Sequence, residues 1–378
     1  MSRRIFSIWL CQFAFVCAFL GGCGGSSGGS GTGPVNTPAQ FVFTGNMSSP
    51  RYVPTATLLQ NGKVLIAGGE NASTALATAE IYDPATGAFT LTGSLNTPRY
   101  WASAVLLNNG SVLVIGGYNS DGYQASAELY DPSTGAFTIY ANMAVPRRLF
   151  PAVTLQNGSV LVAGGDGFPG ALAGAEIFDP ADGVFSPTGQ MNEPRRIFTA
   201  TLLNNGMVLA AGGFNEDGTL ASAELYDPST GAFTFTGNLN TARYYHTATL
   251  LNNGAVLIAG GTLPSNGTVV PLASAELYNS STGAFTSTGS LNAARLVAGA
   301  ALLGDGTVLV TGGQANNAAL SSAELYDSTS GAFVSTASMN VARFGQTETL
   351  LNNGQVLVAG GSDDSGAVAS AELYVPGN

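Results

Sequence analysis

Apolar and polar positions alternate in short bursts along this chain, and the bursts recur. The stretch "TATLLNNGAVLIAGG", residues 247 to 261, alternates, ends in an apolar pair, turns polar at "NNG", runs apolar again and stops at two glycines. The same frame occurs seven times, with glycine pairs starting at Gly68, Gly116, Gly164, Gly212, Gly260, Gly312 and Gly360. Successive pairs are 48 residues apart, except for 52 between Gly260 and Gly312. A repeat of about this length sets the architecture before any other feature is weighed.

One repeat, residues 240 to 288, predicts four strands. "YHTATLL" alternates as a first strand, and "NNG" is a hairpin turn because Asn and Gly tolerate positive φ. "AVLIAG" is nearly continuous in apolar character, as a strand covered on both faces requires. Gly260 and Gly261 then allow a sharp bend or a close backbone approach. A variable loop follows, then "ASAELY" as a third strand, a turn that elsewhere reads "DPSTG", and "AFTSTG" as a fourth strand. Such a small antiparallel sheet cannot cover both its faces, and stacking seven of them radially solves the problem. The predicted fold is therefore all-β, a seven-bladed β-propeller of four-stranded antiparallel blades. The last repeat stops before its fourth strand. "AQFVFTGNM" (39–47) matches "GAFTFTGNL" (231–239), so the N-terminal strand around Phe41 is expected to complete the last blade and close the ring without leaving an edge there.

At this point the repeat resembles the kelch-repeat β-propellers. Their signature is an apolar strand, a glycine pair, a tyrosine, and an aromatic residue about seven positions later. Here the tyrosines are Tyr82, Tyr130, Tyr226, Tyr278, Tyr326 and Tyr374, with Phe178 once. The later aromatic is Phe89, Phe137, Phe185, Phe233, Phe285 and Phe333. The resemblance covers residues 39 to 378 and implies a fold that hosts both enzymes and binding modules. Galactose oxidase has this propeller, and its copper site uses two histidines and a Cys-linked Tyr. This sequence has one histidine, His246, and no cysteine after Cys23, so the resemblance carries no copper galactose-oxidase activity to it.

Composition adds a compartment and removes some partners. Residues 1–23 begin with Arg3 and Arg4, continue with an apolar stretch and end in "LGGC", which resembles a bacterial lipobox with Cys23 as the lipidated residue. Residues 24–38 read as a Gly/Ser-rich tether and 39–378 as the propeller. The expected location is outside the cytoplasm, lipid-anchored in a bacterial cell envelope, with simple secretion as the alternative. Cys11, Cys17 and Cys23 are the only thiols, so the body has no disulfide, no cysteine metal site and no cysteine nucleophile. Without Arg3 and Arg4 the 12 basic residues become 10 against 23 acidic ones, a net charge of −13 that argues against nucleic acid as a partner. "NSDGYQ" and "NEDGT" lack the spaced acidic set of a calcium loop and read as polar turns, so no metal or other cofactor is expected.

Because the repeats align with one another, invariant and variable positions separate. Two charged positions are invariant: the arginines from Arg51 to Arg343, and the glutamates from Glu80 to Glu372 within an apolar strand. Equal numbers suggest one Arg for each Glu, although seven arginines also suit a ring for an anionic ligand. Variation concentrates in the loops after the glycine pairs and around the arginines, which leave a four-stranded blade on one side. The candidate ligand-binding residues lie there: Tyr100, Trp101, Arg148, Phe150, Arg196, Phe198, Tyr244, Tyr245 and His246. Arginines beside aromatic rings suit an anionic group with a flat apolar face. A lone histidine without a second histidine or a cysteine is a weak general base, so no catalytic residue is assigned and binding is favoured over catalysis. The expected activity is recognition of a carbohydrate or a protein segment by a monomer. The alternatives are a carbohydrate-active enzyme of epimerase or oxidase type and a structural envelope component. Cys23→Ser should abolish incorporation of a labelled fatty acid, and label retained by the variant would refute lipidation at that residue.

Overall fold

The computed structural model describes residues 37–377, apart from Ser73, Asn266 and Gly267. The signal segment with Cys23, nearly all of the tether, and Asn266 in the longest variable loop lie outside the described residues. The described residues form seven four-stranded antiparallel sheets and no helix. Blade 1 comprises Thr55–Leu58, Val64–Ala67, Ala79–Asp83 and Ala88–Leu91, in that order from inside to outside. The inner strands of blades 2 to 7 are Ser103–Leu106, Ala152–Thr154, Thr199–Leu202, Thr247–Leu250, Gly299–Leu302 and Thr347–Leu350. Each inner strand touches the next around the ring, and that of blade 7 touches that of blade 1.

The N-terminal strand, Gln40–Phe43, is the outer strand of blade 7, with Phe41 opposite Tyr374. Its ring lies 5.1 Å from that of Tyr374, close to the 4.8 Å of Tyr82–Phe89 and four other blades. The two aromatic positions of the repeat thus face each other across the third and outer strands, including at the closure.

The second strands explain their unbroken apolar runs. In blade 2, Val112 and Val114 pack toward Leu65 and Ala67 of blade 1, while Leu113 and Ile115 pack toward Val160 and Val162 of blade 3. Alternation still operates, but both faces meet a neighbouring blade, so both are apolar. The same packing joins Leu357 and Ala359 of blade 7 to Val64 and Ile66 of blade 1.

The two invariant charges meet within each blade. Every repeated arginine donates through Nη2 to the glutamate of the same repeat, at 2.7–2.9 Å, and both side chains are buried. In blade 5, Arg243 Nη1 also donates to the carbonyls of Gly260 and Ser274, both at 2.8 Å, and Nη2 to Ser274 Oγ at 3.0 Å. Glu276 accepts in addition from the backbone N–H groups of Asn240 and Thr241. The connector between blades is thereby fastened to the third strand of the blade it enters.

The glycine pair carries the connection onward. Gly69 N–H donates to the Arg99 carbonyl of the next connector at 2.9 Å. Gly68 has φ of 66°, and a Cβ there would lie 2.5 Å from that same oxygen. Only glycine fits both the conformation and the approach.

One exception to the repeat comes with its own compensation. In six blades the tyrosine hydroxyl bonds a threonine at the end of the preceding outer strand, as Tyr82 does with Thr44 at 2.9 Å. Blade 3 has Phe178, and the threonine position is Tyr140, whose ring packs 6.1 Å from that of Phe178. Hydroxyl and partner are lost together, so neither is buried unpaired. The Arg–Glu pair yields a measurable consequence. Arg243→Ala should lower unfolding stability by ~3–5 kcal/mol, the scale of stranding one member of a buried pair, as read from denaturant melts. Unchanged stability would mean that Glu276 does not depend on it.

Candidate functional site at the axial mouth

The two variable loop sets emerge on one face and pair there. In all seven repeats the residue after the arginine bridges the residue after the glycine pair: Tyr52 with Glu70, Tyr100 with Tyr118, Arg148 with Asp166, Arg196 with Phe214, and so on to Phe344 with Ser362. Six of the loops extend this into a short two-stranded ribbon, which the sequence pattern did not predict. The blade 3 loop has only the bridge of Asp166 to Ala171.

After that bridge the chain must turn sharply into the inner strand. It does so at Val53, Trp101, Leu149, Ile197, Tyr245, Val297 and Gly345, with φ between 44° and 62°. Six of these are not glycine, and three are β-branched, for which this region is costly. At Gly345, glycine is required for a further reason, because a Cβ would fall on the Tyr52 ring. Strain of this kind persists only where surrounding structure imposes it, and it concentrates at functional sites.

These seven residues ring the axis and hydrogen-bond to one another through the backbone. Val53 N donates to Gly345 O, Gly345 N to Val297 O, and Val297 N to Tyr245 O, at 3.0–3.1 Å. Ile197 N donates to Leu149 O and Leu149 N to Trp101 O, at 3.1 and 3.3 Å. The ring is interrupted twice. Among the described residues, the N–H groups of Trp101 and Tyr245 donate no such bond. Those are the two aromatic members of the ring.

Inside the ring is a cavity of ≈ 310 Å³, lined by Trp101, Leu149, Phe150, Ile197, Phe198, Tyr245 and His246, among others. The structure therefore brings together five of the nine residues expected from sequence: Trp101, Phe150, Phe198, Tyr245 and His246. Phe150 and Phe198 are nearly fully buried, their rings lying over Gly116 and Gly164 of the preceding blades, so they serve as wall and packing at once. Tyr100, Arg148, Arg196 and Tyr244 are absent from this lining and belong to the bridges above. Tyr100 and Tyr244 stack on Trp101 and Tyr245 at 5.1 and 5.3 Å. Leu149 and Ile197, which are not among the residues expected from sequence, join the lining because of the turn they make.

The expected basic spot is compensated. Arg148 Nε donates to Asp166 Oδ2 and Arg196 Nη1 to Asp166 Oδ1, both at 2.9 Å, and Arg196 also reaches Glu216 at 3.1 Å. Tyr123 donates its hydroxyl to Asp166 at 3.2 Å. Two cations meet two carboxylates, so the local excess of positive charge that argued for an anionic ligand is removed. Arg148 is also enclosed by Tyr118, Trp101 and Tyr123, with its guanidinium 4.3, 4.9 and 5.2 Å from the ring centres. Asp166 is not among the residues expected from sequence. Its signal was present in "GGDGFPG", because the position after the glycine pair is what bridges the position after the arginine.

Titration behaviour follows from enclosure. Burial raises the Tyr245 phenol, with Tyr244 adding to the effect, and burial likewise raises Tyr100 and Tyr123, so these hydroxyls stay protonated. His246 is pushed down to about 3 by burial and then by the Arg243 charge. Its Nε2 sits 3.0 Å from the Thr199 hydroxyl. A ring this reluctant to take a proton is unsuited to general-base work near neutral pH.

The opposite face is uniform. Grooves between the "NNG" and "DP" turns recur from blade to blade, as at Asn61–Lys63 with Asp83–Ala85 and at Asn109–Ser111 with Asp131–Ser133, which makes them products of the repeat.

The Kelch motif family model matches residues 51–96 and 102–144, two successive repeats of the seven. The chain is a kelch-repeat β-propeller. No curated protein matches the sequence. Among solved structures, the kelch propeller is similar to a fungal alcohol oxidase of the AA5 family in complex with copper, at 19% identity and a TM-score of 0.73, over 90% of this chain and 76% of that one. At that identity the likeness is one of fold. The residues of the kelch propeller do not fit a copper centre: its one histidine bonds Thr199, and among the described residues no three His, Cys, Asp or Glu side chains converge. The His246 ring protons should show constant NMR shifts from about pH 8 down to about pH 4.5, and a titration near pH 6.5 would contradict its enclosure.

Proposed function

We propose that this kelch propeller is an extracytoplasmic recognition module, tethered through Cys23, that binds a carbohydrate in the axial cavity of its variable-loop face. The observation that carries the reading is the interrupted ring: two backbone N–H groups without a partner among the described residues belong to Trp101 and Tyr245, whose side chains line a concave, mainly apolar cavity. A sugar offers apolar C–H faces for the rings and hydroxyl oxygens for the N–H groups. The paired Arg148, Asp166, Arg196 and Glu216 add donors and acceptors without net charge, which suits an uncharged ligand better than the anionic one expected from sequence. Strain in the turn residues holds these groups in place before the ligand arrives, which lowers the ordering cost of binding.

A protein segment is the second reading. Phe168 favours it, standing 88% exposed on the blade 3 loop two residues from Asp166. Screening on a glycan array separates the two. Under the first reading a sugar is bound and recovered unchanged, and Trp101→Ala weakens it at least about tenfold, the scale of losing an aromatic anchor, while the fold is kept. An array without binding, together with an interaction that depends on Phe168, would support the second.

A further inference from the structure

The seam between blades 6 and 7 departs from the repeat at four positions at once. At the second inner-strand position six blades carry alanine, and blade 7 carries Glu348. At the end of the second strand five blades carry alanine and one isoleucine, and blade 6 carries Thr311. Gly299 opens the blade 6 inner strand where no other blade has glycine, and Gln346 is the only amide at its position. Separated by up to 49 residues in sequence, from 299 to 348, these four meet in space. Glu348 Oε1 accepts from Thr311 Oγ1 at 2.5 Å and from Gln346 Nε2 at 2.9 Å. Gln346 Nε2 also donates to the Thr311 carbonyl at 3.1 Å. A Cβ at Gly299 would fall on the Glu348 carboxyl, so the glycine makes its room.

We propose that Glu348, Thr311, Gln346 and Gly299 form a proton-binding site in the seam between blades 6 and 7. Both donors address Oε1, and among the described residues nothing donates to Oε2, which is left to carry the proton. Among the described residues the one charged group acting on the carboxyl is Arg343 from the connector, and it is already committed to Glu372 at 2.9 Å and to the Gly360 and Ser370 carbonyls. The inner strand of blade 6 contributes Gly299 and the second strand of blade 6 Thr311, neither of them charged. Burial raises the Glu348 carboxyl to about 7, against the opposing pull of Thr311, Gln346 and Arg343. Near neutral pH the group therefore passes between a neutral acid and a charge, in either case half-buried in the seam. Gln346 directly follows Gly345, whose backbone N–H and C=O both belong to the ring at the axial mouth, so the site adjoins that ring.

The sign of the effect is fixed by linkage. The folded chain keeps a proton that the unfolded chain releases, so stability declines as pH rises from about 4.5 to about 7 and levels off above that. His246 acts oppositely, costing stability as pH falls below about 6.5. Comparing the full chain with Glu348→Gln cancels His246, and the amide can accept the same two hydrogen bonds while remaining uncharged. The melting temperature of the parent relative to the variant should fall by several degrees between about pH 5 and pH 8. Parallel curves would overturn the proposal. Should the variant fail to fold, the parent alone decides: its infrared difference spectrum should show one carboxylic-acid C=O band lost near neutral pH, and a spectrum without that loss overturns it. Neither readout uses a ligand, so failure here leaves the carbohydrate reading standing.

Discussion

The buried ion pair between each repeated arginine and the glutamate of its own blade is the fastening on which the rest depends. An isolated charge in this apolar setting is prohibitively costly. Each guanidinium here faces a carboxylate, and in most blades also two backbone carbonyls and a hydroxyl, while each carboxylate takes backbone N–H groups from the connector as well. A buried pair of this sort contributes little over well-packed apolar residues. Its effect is geometric. It fixes where the connector enters, and the connector's carbonyl then occupies the space left by the glycine pair of the preceding blade. One directional contact per repeat thus sets both the internal form of a blade and its spacing from the next. The remaining cohesion comes from the non-directional burial of alternate residues between neighbouring second strands.

That fastening also creates the candidate site. With the arginine fixed and the following residue bridged to the next loop, the chain has one residue in which to turn into the inner strand. The turn forces positive φ on bulky side chains and aims their backbone groups at one another around the axis. Seven turns make a ring, and the two aromatic members break it. The cavity is therefore a by-product of the scaffold that particular side chains have individualised. Trp101, Tyr245, Asp166 and the Arg148–Arg196 pair all lie on the variable-loop face, where the scaffold leaves side-chain identity free.

Departures from the repeat are informative because they come in compensating sets. Phe178 loses a hydroxyl where Tyr140 replaces its partner. Glu348 gains a carboxyl where Gly299 vacates the space and Thr311 supplies a donor. Each set spans two adjacent blades, since side chains of one blade are packed by the next. Comparison of repeats in sequence finds each departure singly. Their contact becomes visible only when the blades are placed side by side.

The fold was legible in the sequence because a propeller is determined by local period and repetition. Alternation, "NNG" and "DPSTG" turns and glycine pairs each report a contact within about one repeat, and the displaced strand around Phe41 was readable because it matches the outer strand missing from the last repeat. The ring then follows from the need to cover both faces of every blade. The one-to-one pairing of Arg and Glu was also legible, from equal numbers and the cost of a buried charge. The site was only half legible. Trp101, Tyr245, Phe150, Phe198 and His246 were marked by their types. Asp166, Leu149, Ile197 and the Glu348 cluster are not marked in this way, and nothing in the sequence shows that Arg148 and Arg196 are paired. Whether a charge is free depends on which loop lies opposite it. Whether a leucine lines a cavity depends on the direction of its backbone turn. Asp166 meets Arg148 and Arg196 across 18 and 30 residues of chain, and the turn at Leu149 is imposed by the bridge before it and the strand after it, so only the tertiary structure decides them.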